Sequence, residues 1–358
     1  MISTFAQLSG RLLSQQRYLE LLEQRKWLQS LLQTFTLEAE KKAENRAVPP
    51  IVLPYGSVVS GTSFVDGDAD YAVVFPYMDE KTRKCYSVNV EREKQETVLS
   101  DIFSHIRKSS SAVDLQPQRI FRARIPIVQY LQKRNEGDSK FDLSLSIDGV
   151  KNSLLLRLYM LGDPRLRLGV LCAKQWGREQ LILNARRGWI SPYALTIMYI
   201  YFMKTTGRTQ LCVSEEDVVE RVKAIVDVVA GSRGELEGIE EFASVSPSVD
   251  VDISTVQRDV YDFFSFYGDP SCFDFDVSVV DIRLHNRFTT KDEWYEAIKN
   301  LDEEDRWHLL GHENVLLRDP FEPHNLGRSV DFFRGEEIRE KFRTSALKRD
   351  TLTFLSPT

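Results

Sequence analysis

Cysteine is scarce in this 358-residue chain, and its four copies, Cys85, Cys172, Cys212 and Cys272, lie far apart with no Cys-x-x-Cys pair. That spacing excludes a zinc ribbon or a disulfide scaffold and fits reduced thiols. No apolar run approaches the roughly 18 residues of a membrane-spanning helix. Nor is there an excess of positive charge: 47 Lys and Arg face 53 Asp and Glu, a formal net charge of −6. A nucleic acid must therefore be met by local basic patches and not by a basic body. Internal repeats and low-complexity segments are absent. What remains, 42% hydrophobic and 28% charged residues, is the composition of a globular protein with one large or two ordinary cores, and two domains are expected.

Acidic residues are missing from the first 19 positions, which carry Arg11, Arg17 and three serines. Phe5, Leu8, Leu12 and Leu13 fall near helical spacing there. The pattern suits a mitochondrial transit peptide. It suits equally one long amphipathic helix packed on the body, because it continues through Leu19, Leu22, Trp27, Leu28, Leu31, Leu32 and Phe35.

The richest stretch runs from Tyr55 to Phe75. An apolar run, Ile51 to Leu53, leads into Gly56-Ser57, a small polar loop, and then Asp66, Asp68 and Asp70 ahead of a second apolar run. No Gly-Lys-Ser or Gly-Lys-Thr follows the glycines, so this is not a Walker loop. A calcium loop would need Gly at Tyr71 and Glu at Tyr77, and fails at both. Side chains two apart on an extended segment share a side, so Asp68 and Asp70 form a clamp for a hard divalent ion. Two readings stand: a bland acidic turn, or the Gly-Ser, spacer, Asp-x-Asp arrangement of nucleotidyltransferases resembling DNA polymerase β.

Further along, Val90 to Lys108 reads as an amphipathic helix, with strands around Ala112 to Phe121 and Ile125 to Leu131. Lys140 to Ile147 alternates strictly, with Asp142 on its polar face. A solvent-facing Asp is the ordinary reading. After a unit that already carries an Asp pair, it is also the natural third ligand for two-metal phosphoryl transfer. From Lys151 on the chain is mostly helical, and Leu316 to Val330 is a loop stiffened by Pro320 and Pro323.

Lys174 and Arg178 sit four apart on one helix, either an ordinary basic face or cover for neighbouring phosphates. Asn152-Ser153 opens a helix and suits simple capping, an anion or a ribose hydroxyl. Ser191-Pro192-Tyr193 places an aromatic at a helix start, for core packing or for stacking on a base. Asp319, Glu322 and His324 share one loop, where a carboxylate can accept from uracil N3–H. His308 and His312 lack the Glu of a zinc-protease helix.

With these parts in order, the chain resembles the terminal uridylyltransferases, relatives of the poly(A) polymerases that add uridines to RNA 3′ ends. The resemblance rests on Gly56-Ser57 with Asp68-Ala69-Asp70, Ala123-Arg124-Ile125-Pro126-Ile127, Phe141-Asp142-Leu143-Ser144, Asn152-Ser153, Ser191-Pro192-Tyr193, and Asp319-Pro320-Phe321-Glu322 followed by His324-Asn325. It covers nearly everything from Val52 to Val330. Compactness is similar to that of the minimal kinetoplastid mitochondrial enzymes associated with RNA editing.

The resemblance implies that Asp68, Asp70 and Asp142 are catalytic and bind two magnesium ions, which manganese can replace. It further implies that Gly56, Ser57, Ser153, Lys174 and Arg178 meet the triphosphate and that Asn152 meets the ribose 2′ hydroxyl. Ser191 and Tyr193 would serve the base site, with Tyr193 stacking on uracil while Asp319, Glu322 and His324 read its edge. Arg124 would contact RNA. Two departures are notable: Gly67 stands where relatives often have serine, and His324 lies one residue closer to Asp319 than in the family.

The expected architecture is α+β and two-lobed. A polymerase β-like mixed-sheet catalytic domain takes residues 47–148, and a mainly helical domain of the poly(A)-polymerase-associated type takes 149–358. Residues 1–46 would form a helical segment packed on the second domain, and the nucleotide would lie in a cleft between the lobes. The partners implied are UTP, an RNA 3′ end and a mitochondrial RNA-editing-type multiprotein complex, with neither membrane nor DNA. The expected location is the mitochondrial matrix, or alternatively the cytoplasm. The competing functions are a poly(A) polymerase-type enzyme of different base preference and an inactive RNA-binding subunit.

Overall fold

The computed structural model describes residues 11–35, 48–108, 115–121, 125–132, 139–245 and 251–348. In chain order its elements are α1 (Gln15–Leu32), β1 (Ile51–Tyr55), α2 (Gly56–Ser60), β2 (Ala69–Met78), β3 (Cys85–Val88), α3 (Arg92–Arg107), β4 (Leu115–Ile120), β5 (Ile127–Gln132), β6 (Ser139–Ser144), α4 (Asp148–Gly162), α5 (Pro164–Glu179), α6 (Pro192–Thr205), α7 (Glu215–Gly231), α8 (Ile253–Gly268), α9 (Lys291–Ala297), α10 (Glu303–Leu310) and α11 (Phe332–Leu347). The chain is α+β, with a mixed sheet in one of two compact units. Short polar side chains open many of the helices: Ser14, Asp163, Ser191, Asp252, Thr290, Asp302 and Asp331 each accept a first-turn N–H, which satisfies a donor the helix leaves over.

The first unit comprises Arg11–Arg157 and Glu216–Val245. Its strand order is β1-β2-β6-β5-β4, with β3 added to β2. The β2–β6 pair is parallel and the other pairs are antiparallel. Strand β2 is buried on both faces from Tyr71 to Pro76, as expected of a central strand carrying Val73, Val74 and Phe75. The core joins Leu21, Leu28 and Leu32 of α1 and Leu99, Ile102 and Ile106 of α3 to Val52, Tyr71, Val73, Phe75, Val128, Tyr130, Phe141 and Leu143.

Helix α1 corrects an expectation: its apolar face belongs to this sheet core and not to the helical domain. The reason is an open edge. β1 ends the strand order, and an edge strand leaves backbone groups unpaired. Gln29 accepts from the Val52 N–H at 2.8 Å, and Arg25 Nε donates to the Val52 carbonyl at 2.8 Å. Nor does the helix extend back through Leu12, which forms a β-bridge to Phe64; Ser14 caps the start. Residues 1–10 lie outside the described residues.

The second unit takes in residues 158–215 and the described residues from 251 on. Trp176 of α5 packs against Phe264 of α8 and Phe342 of α11 with ring centroids 4.7 and 4.8 Å away, and its Nε1 donates to Ser345 at 2.8 Å. A smaller cluster of Val279, Trp294, Leu310 and Leu316 supports the Leu316 to Val330 loop.

Candidate active site

Strand register lines up four polar side chains across the sheet. Tyr55 of β1 pairs with Asp70 of β2, Asp70 with Asp142 of β6, and Asp142 with Gln129 of β5. Their chain neighbours Ala69, Tyr71, Phe141, Leu143, Val128 and Tyr130 point into the core under α1 and α3. By the two-residue alternation of strands, the polar row therefore faces the other way. Gln129 Nε2 donates to Asp142 Oδ1 at 2.8 Å and fixes that carboxylate. Burial first, and then the charges of Asp70 and Asp142, push the Tyr55 phenol well above its ordinary range.

The Gly-Ser turn closes on this row. Gly56 has φ +75°, and a Cβ there would stand 2.0 Å from Asp70 Oδ2, so only glycine lets the chain pass. Its N–H donates to Ser153 Oγ at 2.6 Å, and that hydroxyl donates in turn to the Gly149 carbonyl at 2.6 Å. Ser153 thus holds the turn, with its proton engaged. Ser57 is half-buried and its hydroxyl makes no hydrogen bond among the described residues. Asn152 keeps a buried Oδ1 with no hydrogen-bond partner. The far end of the turn is fixed by Arg157, which donates to the carbonyls of Val59, Glu240 and Ala243, each at 2.9 Å.

Asp68 lies one residue ahead of β2 and is exposed, whereas Asp70 and Asp142 are half-buried. Among the described residues no three His, Cys, Asp or Glu side chains are gathered as a metal-ligating group. The register thus unites two of the three expected carboxylates. Gly67 has a local cause: a Cβ there would meet Ser63 Oγ at 2.6 Å and the Phe64 carbonyl at 3.0 Å. Arg124 falls outside the described residues.

In the helical unit Lys174 is buried and Arg178, one turn on, is exposed. Ser191 caps α6 by accepting from the Ala194 N–H at 3.0 Å, and half-buried Tyr193 follows in the first turn. Asp319 is fully buried; its Oδ1 accepts from the N–H groups of Phe321 and Glu322 at 2.9 and 3.0 Å. His324 is buried in the same turn, its N–H donating to the Glu322 carbonyl at 2.8 Å. Asn325 ties the loop together, accepting from Leu317 and Gly327 and donating to the carbonyls of Leu310 and His312. Gln129 was not singled out from the sequence, and Arg157 and Asn325 stood there only within longer motifs, with no role of their own. No spacing rule marks a side chain whose work is to hold backbone or another side chain.

The family model described as the central palm domain of mitochondrial-like poly(A) RNA polymerase matches residues 8–161. The human poly(A) RNA polymerase GLD2 is 30% identical over 151 residues, 42% of this chain and 30% of that protein. Terminal uridylyltransferase 3 of Trypanosoma brucei brucei is 42% identical over 67 residues, 19% of this chain and 8% of that protein. The chain thus matches less than a third of the length of these curated relatives. Terminal uridylyl transferase 4 of Trypanosoma brucei, solved with bound GTP, superposes with a TM-score of 0.70 at 18% identity, covering 99% of this chain and 97% of that one. The chain has the two-domain α+β fold of the terminal uridylyltransferases, and its residues 8–161 match the poly(A) polymerase-like palm domain.

Proposed function

We propose that this chain is an RNA 3′-terminal uridylyltransferase, transferring UMP from UTP to an RNA 3′ hydroxyl. The 3′ hydroxyl gives up its proton to solvent as its oxygen bonds to the α-phosphorus, and the bond from that phosphorus to the pyrophosphate oxygen breaks, releasing pyrophosphate. The observation that carries the reading is the Asp70–Asp142 pair, set side by side on parallel strands against the Gly56 turn. Two like charges at one register position oppose each other, and a divalent cation offsets that repulsion, so these residues fit magnesium. Asp70 and Asp142 would hold it, with Asp68 two residues along. Bound magnesium would supply charge neutralisation of the triphosphate and the attacking oxygen.

The chain's own work is positional. The unpartnered Ser57 hydroxyl suits a phosphate oxygen, and the orphaned Asn152 Oδ1 suits the ribose 2′ hydroxyl, favouring UTP over dUTP. Gln129 keeps Asp142 oriented. Base recognition is assigned to Tyr193, by stacking, and to the Asp319 loop through Glu322 and His324. A second reading, adenylate transfer, is supported by the match to poly(A) RNA polymerase GLD2.

Extension of a single-stranded RNA by purified protein with magnesium and each nucleoside triphosphate in turn tests both. UTP is expected to be incorporated fastest, and Asp70→Asn or Asp142→Asn to abolish extension. ATP outcompeting UTP would replace the first reading by the second. Unchanged extension by both Asn variants would remove the assigned site.

A further inference from the structure

Two phenylalanines at the start of α11 lie open to solvent in a way packing does not explain. Phe332 and Phe333 are 62% and 81% exposed, with ring centroids 5.7 Å apart at 78°. The helix packs instead through Gly335, Ile338 and Phe342. Beside them runs the turn Ala185–Arg187, whose Arg186 and Arg187 are both exposed. Two contacts and one close approach join the stretches that flank them. Arg334 Cζ lies 5.7 Å from the Trp189 ring centroid, a Cβ on Gly188 would stand 3.0 Å from Arg334 Nε, and Ser329 Oγ donates to the Trp189 carbonyl at 3.3 Å.

We propose that this surface binds single-stranded RNA, with unpaired bases stacking on Phe332 and Phe333 and phosphates meeting Arg186 and Arg187. Exposed aromatic faces beside guanidinium groups suit a ligand that alternates flat bases with anionic phosphates. The acids nearby do not oppose this: Asp331 is paired with Arg334, Glu336 with Arg339, and Glu337 lies 3.9 Å from Lys341. Arg187 has no ion pair among the described residues. In a chain of net charge −6, such a local patch is where a polyanion is met. The inference rests on the proposed RNA-extending activity and adds a contact for the body of the substrate.

The test is fluorescence anisotropy of a labelled single-stranded oligoribonucleotide and of a blunt RNA duplex on the full chain, across a salt series. Phe332→Ala with Phe333→Ala is expected to weaken single-strand binding about tenfold and to leave duplex binding alone. Both rings are exposed, so the melting temperature should hold. Replacing both by Leu separates stacking from greasy contact: binding restored by Leu overturns the proposal, as does single-strand binding within twofold of wild type or equal weakening on the duplex. Arg186→Ser with Arg187→Ser should flatten the salt slope by about 1.4, roughly 0.7 per phosphate on a single strand; an unchanged slope overturns the arginine assignment. Nucleotide addition by the wild type is scored separately. A wild type that binds through this patch but adds nothing sinks the proposed function alone. One that extends RNA while the Phe variants keep its KM for RNA sinks the patch alone.

Discussion

Gly56 is the residue on which most of the geometry around Asp70 and Asp142 depends. Its φ of +75° and the 2.0 Å between a hypothetical Cβ and Asp70 Oδ2 mean that Gly56→Ala must displace either the turn or the carboxylate. The left-handed backbone alone costs about 1–2 kcal/mol with a side chain, and a displacement near 1 Å at a reacting centre costs roughly 100-fold in rate. Gly56→Ala is therefore expected to lower kcat for nucleotide addition about 100-fold while shifting the denaturation midpoint only modestly. A variant with wild-type kcat would show that Asp70 does not need its present position. At this scale the sequence was informative about placement and silent about support. Asp70, Asp142 and Gly56 could be read from it because their spacing is dictated by strand alternation and turn geometry. Gln129 could not, because a glutamine on an alternating strand looks like solvent-facing surface until the register sets it opposite Asp142. The role of Asp319 was also only half visible: the residue stands in the expected loop, where its Oδ1 organises the backbone of that loop.

Among elements, α2 is too short to be stable by itself, since a single helical turn fixes backbone without enough bonds to offset the cost. Arg157 compensates from α4. Its guanidinium is buried, burial lowers its pKa, and it donates to three carbonyls, of which Val59 belongs to α2. Removing it strands the buried Val59 carbonyl and leaves those of Glu240 and Ala243 to solvent, so Arg157→Met should cost about 1–3 kcal/mol, read as a lower urea midpoint at unchanged slope, with a raised KM for UTP as α2 loosens. A loss under about 0.5 kcal/mol would place Arg157 among ordinary surface residues. Elements with strong periodicity were legible: β2, β6 and α3 fall where alternation and helical spacing put them, and the chain from Asp148 on is mostly helical as expected. Strand β3 was not, because Cys85–Val88 is four residues long with only Cys85 fully buried, and its pairing to Phe75–Met78 depends on β2 already being in place.

The whole molecule departs most from its sequence in how the chain is shared between units. The sheet unit is not the contiguous 47–148 block expected from the order of elements along the chain. It also recruits α1 before the sheet and Glu216–Val245 long after it. Such recruitment has no local signature; it is decided by which exposed edges and apolar faces remain to be covered. Helix α1 covers β1 with Arg25 and Gln29 and inserts Leu21, Leu28 and Leu32, and Asp227 of α7 accepts from the Cys85 N–H at 2.7 Å at the start of β3. Three buried leucines contribute roughly 2–3 kcal/mol each, so deleting α1 removes about 6–9 kcal/mol from a domain whose entire stability is of order 5–15 kcal/mol. A fragment of residues 47–148 is therefore expected to show strand content without a cooperative urea transition and to bind a hydrophobic dye through the uncovered faces of Val52, Tyr71 and Val73. The full chain should unfold cooperatively and bind little dye. A 47–148 fragment that unfolds in one sharp transition would mean that the sheet needs neither α1 nor the returning segment, and that their packing is an accessory of the sheet unit and not part of its core.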